Sequence, residues 1–464
     1  MSRSLGWFEG LALACWAYLI VRPISNNRIL ILVFALLGLV ALGSLLVRGW
    51  RVRSELAPLL LIEALFAAFG LSIGAIHNQP GVVQQIPVFV LAPAVYWLML
   101  SASDEWTLRR FLSVTAWVSA VSATILIVFI VDPDRIPSPL VRFFDLAYSN
   151  GLGYEHTHSF GLDTIIVTGP LWIASFFVRD DHGRFPSKYI RLYCVATSIT
   201  VAFLSGQRVL LVCVIAAPFL ALALKHFLVG NAIRSRHRAA GAALVVLVLG
   251  GLALGTATDV GPFAKIRFAV DTAGAAFFSG QSIETLNAGN VNNATSAAGS
   301  LAAFDGGVRS AEAEELLQGF YSEPIAGAGL GAVLPNGYAR DITKQWDFEL
   351  QYHMLLFDTG ITGGAMIVAA LAVGWRRLRR AVRQRPDLAA ALIVSTVGML
   401  ALAIANASDP YLQAPAFMWG LFLPLAWMNL AFTPQHSFVA SSGQTGRAMA
   451  GEWGSRGDDY RILV

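Results

Sequence analysis

Four polar positions in this sequence could do chemistry by their type and setting. Arg208 follows Ser205-Gly-Gln and precedes an apolar run. Arg309 stands before Ser310-Ala-Glu-Ala-Glu-Glu-Leu-Leu-Gln-Gly-Phe320, in a long polar segment. Glu349 and His353 are four apart where an apolar stretch begins, so a helix there puts them on one face. Arginines stay protonated and match phosphate oxygens with forked donors. Histidine exchanges a proton near neutral pH, and a carboxylate one turn away can orient it. Together these types suit transfer of a group away from an anionic leaving group. Each also has a plainer reading: a snorkelling arginine, a solvated ion pair, an interfacial histidine.

Other constellations are weaker. Glu155, His156 and His158 do not have the spacing of a metal site, and no metal is expected. Gly327-Ala-Gly-Leu-Gly331 follows no strand, so it reads as a turn rather than a nucleotide loop. Glu63, Asp163 and Asp358 are acidic residues inside apolar runs, where they serve either proton transfer or helix packing.

The elements that position these residues are membrane spans. Of 464 residues, 56% are apolar and 13% charged, with a mean hydropathy of +0.61. Soluble domains carry roughly 25% charged residues, so this chain has too little polar surface to face water. A net charge of +4 gives no reason to expect a nucleic-acid partner. Cys15, Cys194 and Cys213 all lie in apolar runs and imply no disulfide framework.

Runs long enough to span, or nearly so, occur at 5–21, 29–47, 56–75, 83–101, 111–131, 161–178, 192–204, 209–224, 239–257, 350–374, 388–406 and 416–432. The expected fold is therefore all-α and polytopic, with about twelve spans. The first run lacks a small-residue cleavage site and reads as a retained helix. Lys and Arg orient the chain. With the N-terminus inside, the short loops assigned to the cytoplasm hold the excess of basic residues. The expected division is 1–257 as nine spans, 258–349 as one large external loop, 350–432 as three spans and 433–464 as a disordered cytoplasmic tail. Within the loop, 279–303 reads as flexible, and Ser310 as the cap of a short surface helix with Leu316, Leu317 and Phe320 on its apolar face. The run 192–204 spans only about 20 Å, which would leave Arg208 below the outer surface unless neighbouring residues extend the helix.

In this order and spacing, the motifs resemble the O-antigen polymerase and O-antigen ligase family, membrane glycan transferases with a GT-C-like fold. Leu204-Ser-Gly-Gln-Arg-Val-Leu-Leu211 looks like the family's Ser-Gly-x-Arg element. Arg309, the helix after it, Pro324 and Gly327–Gly331 look like the loop motif before its catalytic helix. His353-Met-Leu-Leu-Phe-Asp-Thr-Gly360-Ile-Thr-Gly363 looks like that helix.

The resemblance implies a bacterial inner-membrane enzyme with both termini cytoplasmic and a periplasmic site. It would transfer an undecaprenyl-diphosphate-linked glycan to an acceptor hydroxyl. Arg208 and Arg309 would bind the diphosphate, His353 would be the base and Glu349 its orienter. Asp409 and Arg340 would lie on the acceptor side. No cofactor is implied, and a chain-length regulator is an expected partner. Trp346-Asp-Phe-Glu349 looks polymerase-like, while Asp409 matches an acidic residue of the ligases, whose polar residue after the histidine is here Met354. Polymerase and ligase both remain open, and a proton-coupled transporter is the reading from another class.

Overall fold

The computed structural model describes residues 2–22, 27–151, 154–158, 160–205, 207–230, 297–339, 343–407 and 409–434. Met1–Phe432 forms one compact unit, and of the second, Thr433–Val464, only 433 and 434 are described. Among the described residues, the regular elements are helices apart from one short hairpin. The helices are α1 (Ser2–Val21), α2 (Asn27–Arg48), α3 (Ala57–Ile76), α4 (Val82–Ile86), α5 (Ala92–Ala102), α6 (Glu105–Val131), α7 (Ser138–Phe144), α8 (Phe160–Ala174), α9 (Lys188–Leu204) and α10 (Arg208–Val229). Past 296 come α11 (Ala297–Ser322), α12 (Gln351–Gln384), α13 (Ala389–Ala405) and α14 (Trp419–Ala431). Strands β1 (Ala147–Gly151) and β2 (Tyr154–His158) pair antiparallel.

Among the described residues, seven helical segments are long and apolar enough to cross a membrane, and three shorter ones are apolar over 10–17 residues. This is the make-up of a polytopic membrane protein. The expected span at 239–257, most of the loop before 297 and the tail after 434 lie outside the described residues. α4 runs into α5 through a π-helical stretch, Pro87–Leu91, which begins at a proline that has no amide hydrogen to donate.

The main core lies where α1, α5, α6 and α14 meet. Trp16 stacks on Phe111 at 4.4 Å and meets Trp419 and Phe422 edge-on, while its indole N–H donates to Thr115 Oγ1 at 3.0 Å. Aromatic faces and edges attract here through their quadrupoles, and the indole donor is satisfied.

At one end of the bundle, a connection is tied down by charge. The buried Arg184 donates to Glu105 Oε1 at 2.9 Å and to Asp387 Oδ2 at 2.7 Å, and also to the Asp387 carbonyl. It thus joins the α8–α9 connection to the start of α6 and to the turn before α13. Glu105 keeps Arg109 and Asp387 keeps Arg385, so Arg184→Ala is expected to cost about 1–2 kcal/mol through its lost hydrogen bonds. Thermal melting of the detergent-solubilised protein reads that loss.

A second, smaller core lies beside the Arg309 and Glu349 segments. Leu316, Ala328, Leu334, Phe348, Leu350, Met354 and Phe357 pack together. They join α11, the segment 324–350 and the first turns of α12. Here the structure corrects three readings. Helix α11 begins at Ala297, so Ser310 is inside it and caps nothing, and 297–303 is helical rather than flexible. The Ala-rich stretch Ala297-Ala-Gly-Ser-Leu-Ala-Ala303 is made mostly of strong helix formers, which outweigh its glycine and serine. Its buried face is Glu312, Leu316 and Gly319, spaced by four and three, not Leu316, Leu317 and Phe320.

Gly327–Gly331 does turn, with the Ala332 amide donating to Gly329 O at 3.1 Å, but the turn is packed inside the molecule. Helix α12 is broken at Gly360 (φ 61°, ψ −163°), and the glycine segment threads along the break. The amides of Ala328 and Gly329 donate to the carbonyls of Phe357 and Asp358 at 3.0 and 2.7 Å. The amides of Ile361 and Thr362 donate to the carbonyls of Pro324 and Ile325 at 2.8 and 3.2 Å. Beyond the break, Leu330 N–H donates to Gly70 O of α3 at 2.9 Å. A break inside an apolar helix is tolerable only when its backbone groups find such partners.

Candidate functional site

Three separate segments meet around Arg309. It projects from the middle of α11. Its Nε donates to Glu349 Oε2 at 3.1 Å, just before α12, and its terminal nitrogen donates to Asp409 Oδ1 at 3.5 Å, in the α13–α14 connection. The guanidinium is about a third exposed, at 32%. It is thus a positive centre held between two carboxylates.

Glu312 fixes this arrangement and was not singled out in the sequence. It is one turn after Arg309 and fully buried, and its Oε1 accepts from Leu350 N–H at 2.9 Å. That bond fastens the residue next to Glu349 to α11. Its signal in the sequence was the three-residue spacing from Arg309, hidden among three glutamates of similar appearance. Glu312→Ala is expected to lower stability by about 1–3 kcal/mol, because a buried amide loses its acceptor. Glu312→Gln retains an acceptor oxygen and should recover most of that, measured as melting temperature in detergent.

Glu349 and His353 do not form the expected pair. α12 starts only at Gln351, so Glu349 precedes the helix and does not share a helical face with His353. Its carboxylate is turned to Arg309 instead. His353 lies half-buried on the first turn of α12 and makes no hydrogen bond or ion pair among the described residues. The neighbouring Met354 is buried and accepts from Gln413 Nε2 at 2.9 Å, tying α12 to the Asp409 connection.

Two further titratable residues are in electrostatic reach of Asp409. Tyr411 is buried, with its ring edge-on to Phe417 at 5.3 Å and its amide donating to Asp409 O at 2.8 Å. Burial pushes its phenol well above the ordinary range, and the nearby Asp163, Asp409 and Cys213 push the same way, against Arg309. It therefore remains a neutral O–H at any physiological pH. Asp163, on the first turn of α8, is in electrostatic reach of Asp409. The sequence marked Asp163 as an acidic residue in an apolar run, but not its neighbours.

Arg208 opens α10, and its side chain lies outside the described residues. The helix before it, α9, reaches back to Lys188 and spans about 26 Å rather than 20, so its length does not hold Arg208 far below the outer surface. Ser187 caps that extension by accepting from Ile190 N–H. Cys213, further along α10, is in electrostatic reach of Tyr411. Arg340 lies outside the described residues. Glu155, His156 and His158 lie on β2, and their side chains are outside the described set.

The remaining acidic residues of the apolar runs do not converge. Glu63 Oε2 accepts from Trp97 Nε1 at 2.6 Å, and Asp358 is buried at the α12 break beside Gly331. No protein-family model matches the chain, and no curated protein matches it either.

Proposed function

We propose that this chain is a glycan polymerase of the bacterial envelope. It is read as an inner-membrane protein of about twelve spans, with cytoplasmic termini and its site on the periplasmic side. The observation that carries the reading is Arg309 held between Glu349 and Asp409, with His353 on the adjoining turn of α12. An arginine restrained by two carboxylates is preorganised, and a diphosphate offers it a stronger set of oxygens than either carboxylate alone.

In the proposed reaction the acceptor hydroxyl oxygen attacks the anomeric carbon of the lipid-linked glycan. The bond from that carbon to the diphosphate oxygen breaks, and undecaprenyl diphosphate leaves with the electron pair. His353 takes the proton from the acceptor hydroxyl. Arg309, with Arg208, neutralises the charge that grows on the leaving diphosphate. Glu349 acts on Arg309 rather than on the histidine. The isoprenoid tail stays in the bilayer.

A ligase is the second reading, and the pairing of Asp409 with Arg309 favours it, since an acidic residue in the last external loop is a feature of the ligases. The transporter reading lacks such support, because Glu63, Asp163 and Asp358 have separate surroundings rather than one shared midplane site.

Deletion of the gene, followed by complementation with wild type, Arg208→Ala, Arg309→Ala or His353→Ala, tests the proposal. Membrane abundance is checked for each. Single-unit glycans restored to long chains by wild type alone support a polymerase. Long polymer retained on the isoprenoid carrier indicates a ligase. Full rescue by all three variants rejects the catalytic assignment.

A further inference from the structure

A groove of about 570 Å³ runs between α6 and the start of α9, away from the site described above. Its walls include Trp117, Val121 and Thr124 of α6 and Tyr189, Ile190 and Tyr193 of α9. Trp117 and Tyr189 are 60% and 72% exposed, on a helix long and apolar enough to cross a membrane and on its neighbour. The hydroxyls in the wall serve each other. Tyr193 OH and Thr124 Oγ1 are 2.7 Å apart, and Thr124 Oγ1 donates to Ala120 O. What remains is apolar surface open to a bilayer, which a hydrocarbon chain fills without stranding a polar group.

One end of the groove is basic. Arg110 is exposed seven residues before Trp117, hence on the same face of α6, and its guanidinium lies 3.5 Å over the Trp106 ring. Lys188 is exposed between the lining residues Ser187 and Tyr189, with its Nζ 5.1 Å from the Tyr189 ring. Neither cation has an ion pair among the described residues. The carboxylates at this end have other partners: Glu105 pairs with Arg109 and Arg184, Asp181 with Arg179, and Asp387 with Arg184 and Arg385. From Arg110 to Val121, α6 rises about 16 Å, close to the ~15 Å of hydrocarbon in one leaflet. A phosphate at Arg110 and Lys188 therefore sends its chain past Trp117 to Val121, and basic residues between spans attract anionic headgroups. This end is also remote from Arg309. Asp387, held by Arg184, precedes α13, and Asp409, held by Arg309, follows that helix of about 26 Å. We propose that the α6–α9 groove holds an acyl chain of an anionic phospholipid of the surrounding bilayer, with Arg110 and Lys188 at its phosphate. The inference does not depend on the glycan-transfer reading.

The test offers dioleoyl phosphatidylglycerol or dioleoyl phosphatidylcholine to the full-length, delipidated protein in detergent and counts bound lipid by native mass spectrometry. Wild type should hold one phosphatidylglycerol per chain in preference to phosphatidylcholine. Arg110→Gln and Lys188→Gln should each reduce that preference by about fivefold, the scale of one basic residue at a charged headgroup. Val121→Trp fills the groove from a position 51% exposed and should reduce binding of both lipids. Equal binding of the two lipids by wild type, or a preference that both Gln variants keep, overturns the headgroup site. Undiminished binding by Val121→Trp overturns the groove. Wild-type dimers that Val121→Trp splits into monomers would overturn the lipid in favour of a second copy of the chain. Displacement of phosphatidylglycerol by equimolar undecaprenyl diphosphate would overturn it in favour of the donor lipid. The two Gln variants alter exposed side chains, and they decide the matter if Val121→Trp does not reach the membrane.

Discussion

An Arg309→Ala variant is expected to accumulate in the membrane at normal levels and to lose glycan transfer by at least about a hundredfold. The two halves of that outcome have different causes. The guanidinium is about a third exposed, so its pairs with Glu349 and Asp409 contribute under about 1 kcal/mol each to folding. In the proposed transition state it faces growing charge on a leaving diphosphate, where a positioned donor is worth far more. Removing it also leaves Glu349 and Asp409 to repel the incoming anion. Arg309→Lys keeps the charge but not the fork that reaches two carboxylates at once, and it should recover only part of the activity. Turnover of extracted lipid-linked glycan by purified protein, set beside its melting temperature, separates the two effects. A large fall in melting temperature with proportionate loss of activity would make Arg309 structural.

The largest expected effect on folding is at Gly329. This residue has φ +95°, and a Cβ there would lie 2.1 Å from the Gly74 amide nitrogen and 2.2 Å from its Cα. The obstacles are backbone atoms of α3, which cannot turn aside as a side chain could. Gly329→Ala therefore forces the glycine segment off α3 and opens the α12 break, stranding the carbonyls of Phe357 and Asp358 in an apolar interior. The loss should exceed about 4 kcal/mol, enough to deplete the protein from the membrane. Gly374→Ala is the matched control, because a Cβ at Gly374 meets nothing within 4 Å. Normal accumulation of Gly329→Ala, with a melting temperature near that of wild type, would show that the segment can leave the break without cost.

The sequence by itself determined the class of the protein. Long apolar runs and few charges exclude a water-soluble fold whatever the packing, because transfer of a helix into a bilayer depends on local composition. Eleven of the twelve apolar runs coincide with helices, seven of them long and apolar enough to cross a membrane among the described residues, and the twelfth run lies outside those residues. Arg309, Glu349 and Asp409 were also legible as candidates, through residue type and through motif order. Their mutual arrangement was not. Helical spacing linked Glu349 to His353, but the helix begins two residues too late for that rule to apply. The carboxylate instead follows the bond from Glu312 to Leu350, which joins positions 38 apart. The same holds for the glycines at 327–331: the turn was legible, but not that Gly360 breaks α12 and supplies backbone groups for it to satisfy. Composition acts over neighbouring residues, so it can be read along the chain. Which carboxylate meets which arginine, and which loop mends which helix, depends on atoms far apart in sequence, and only the packing of α3, α11 and α12 decides it.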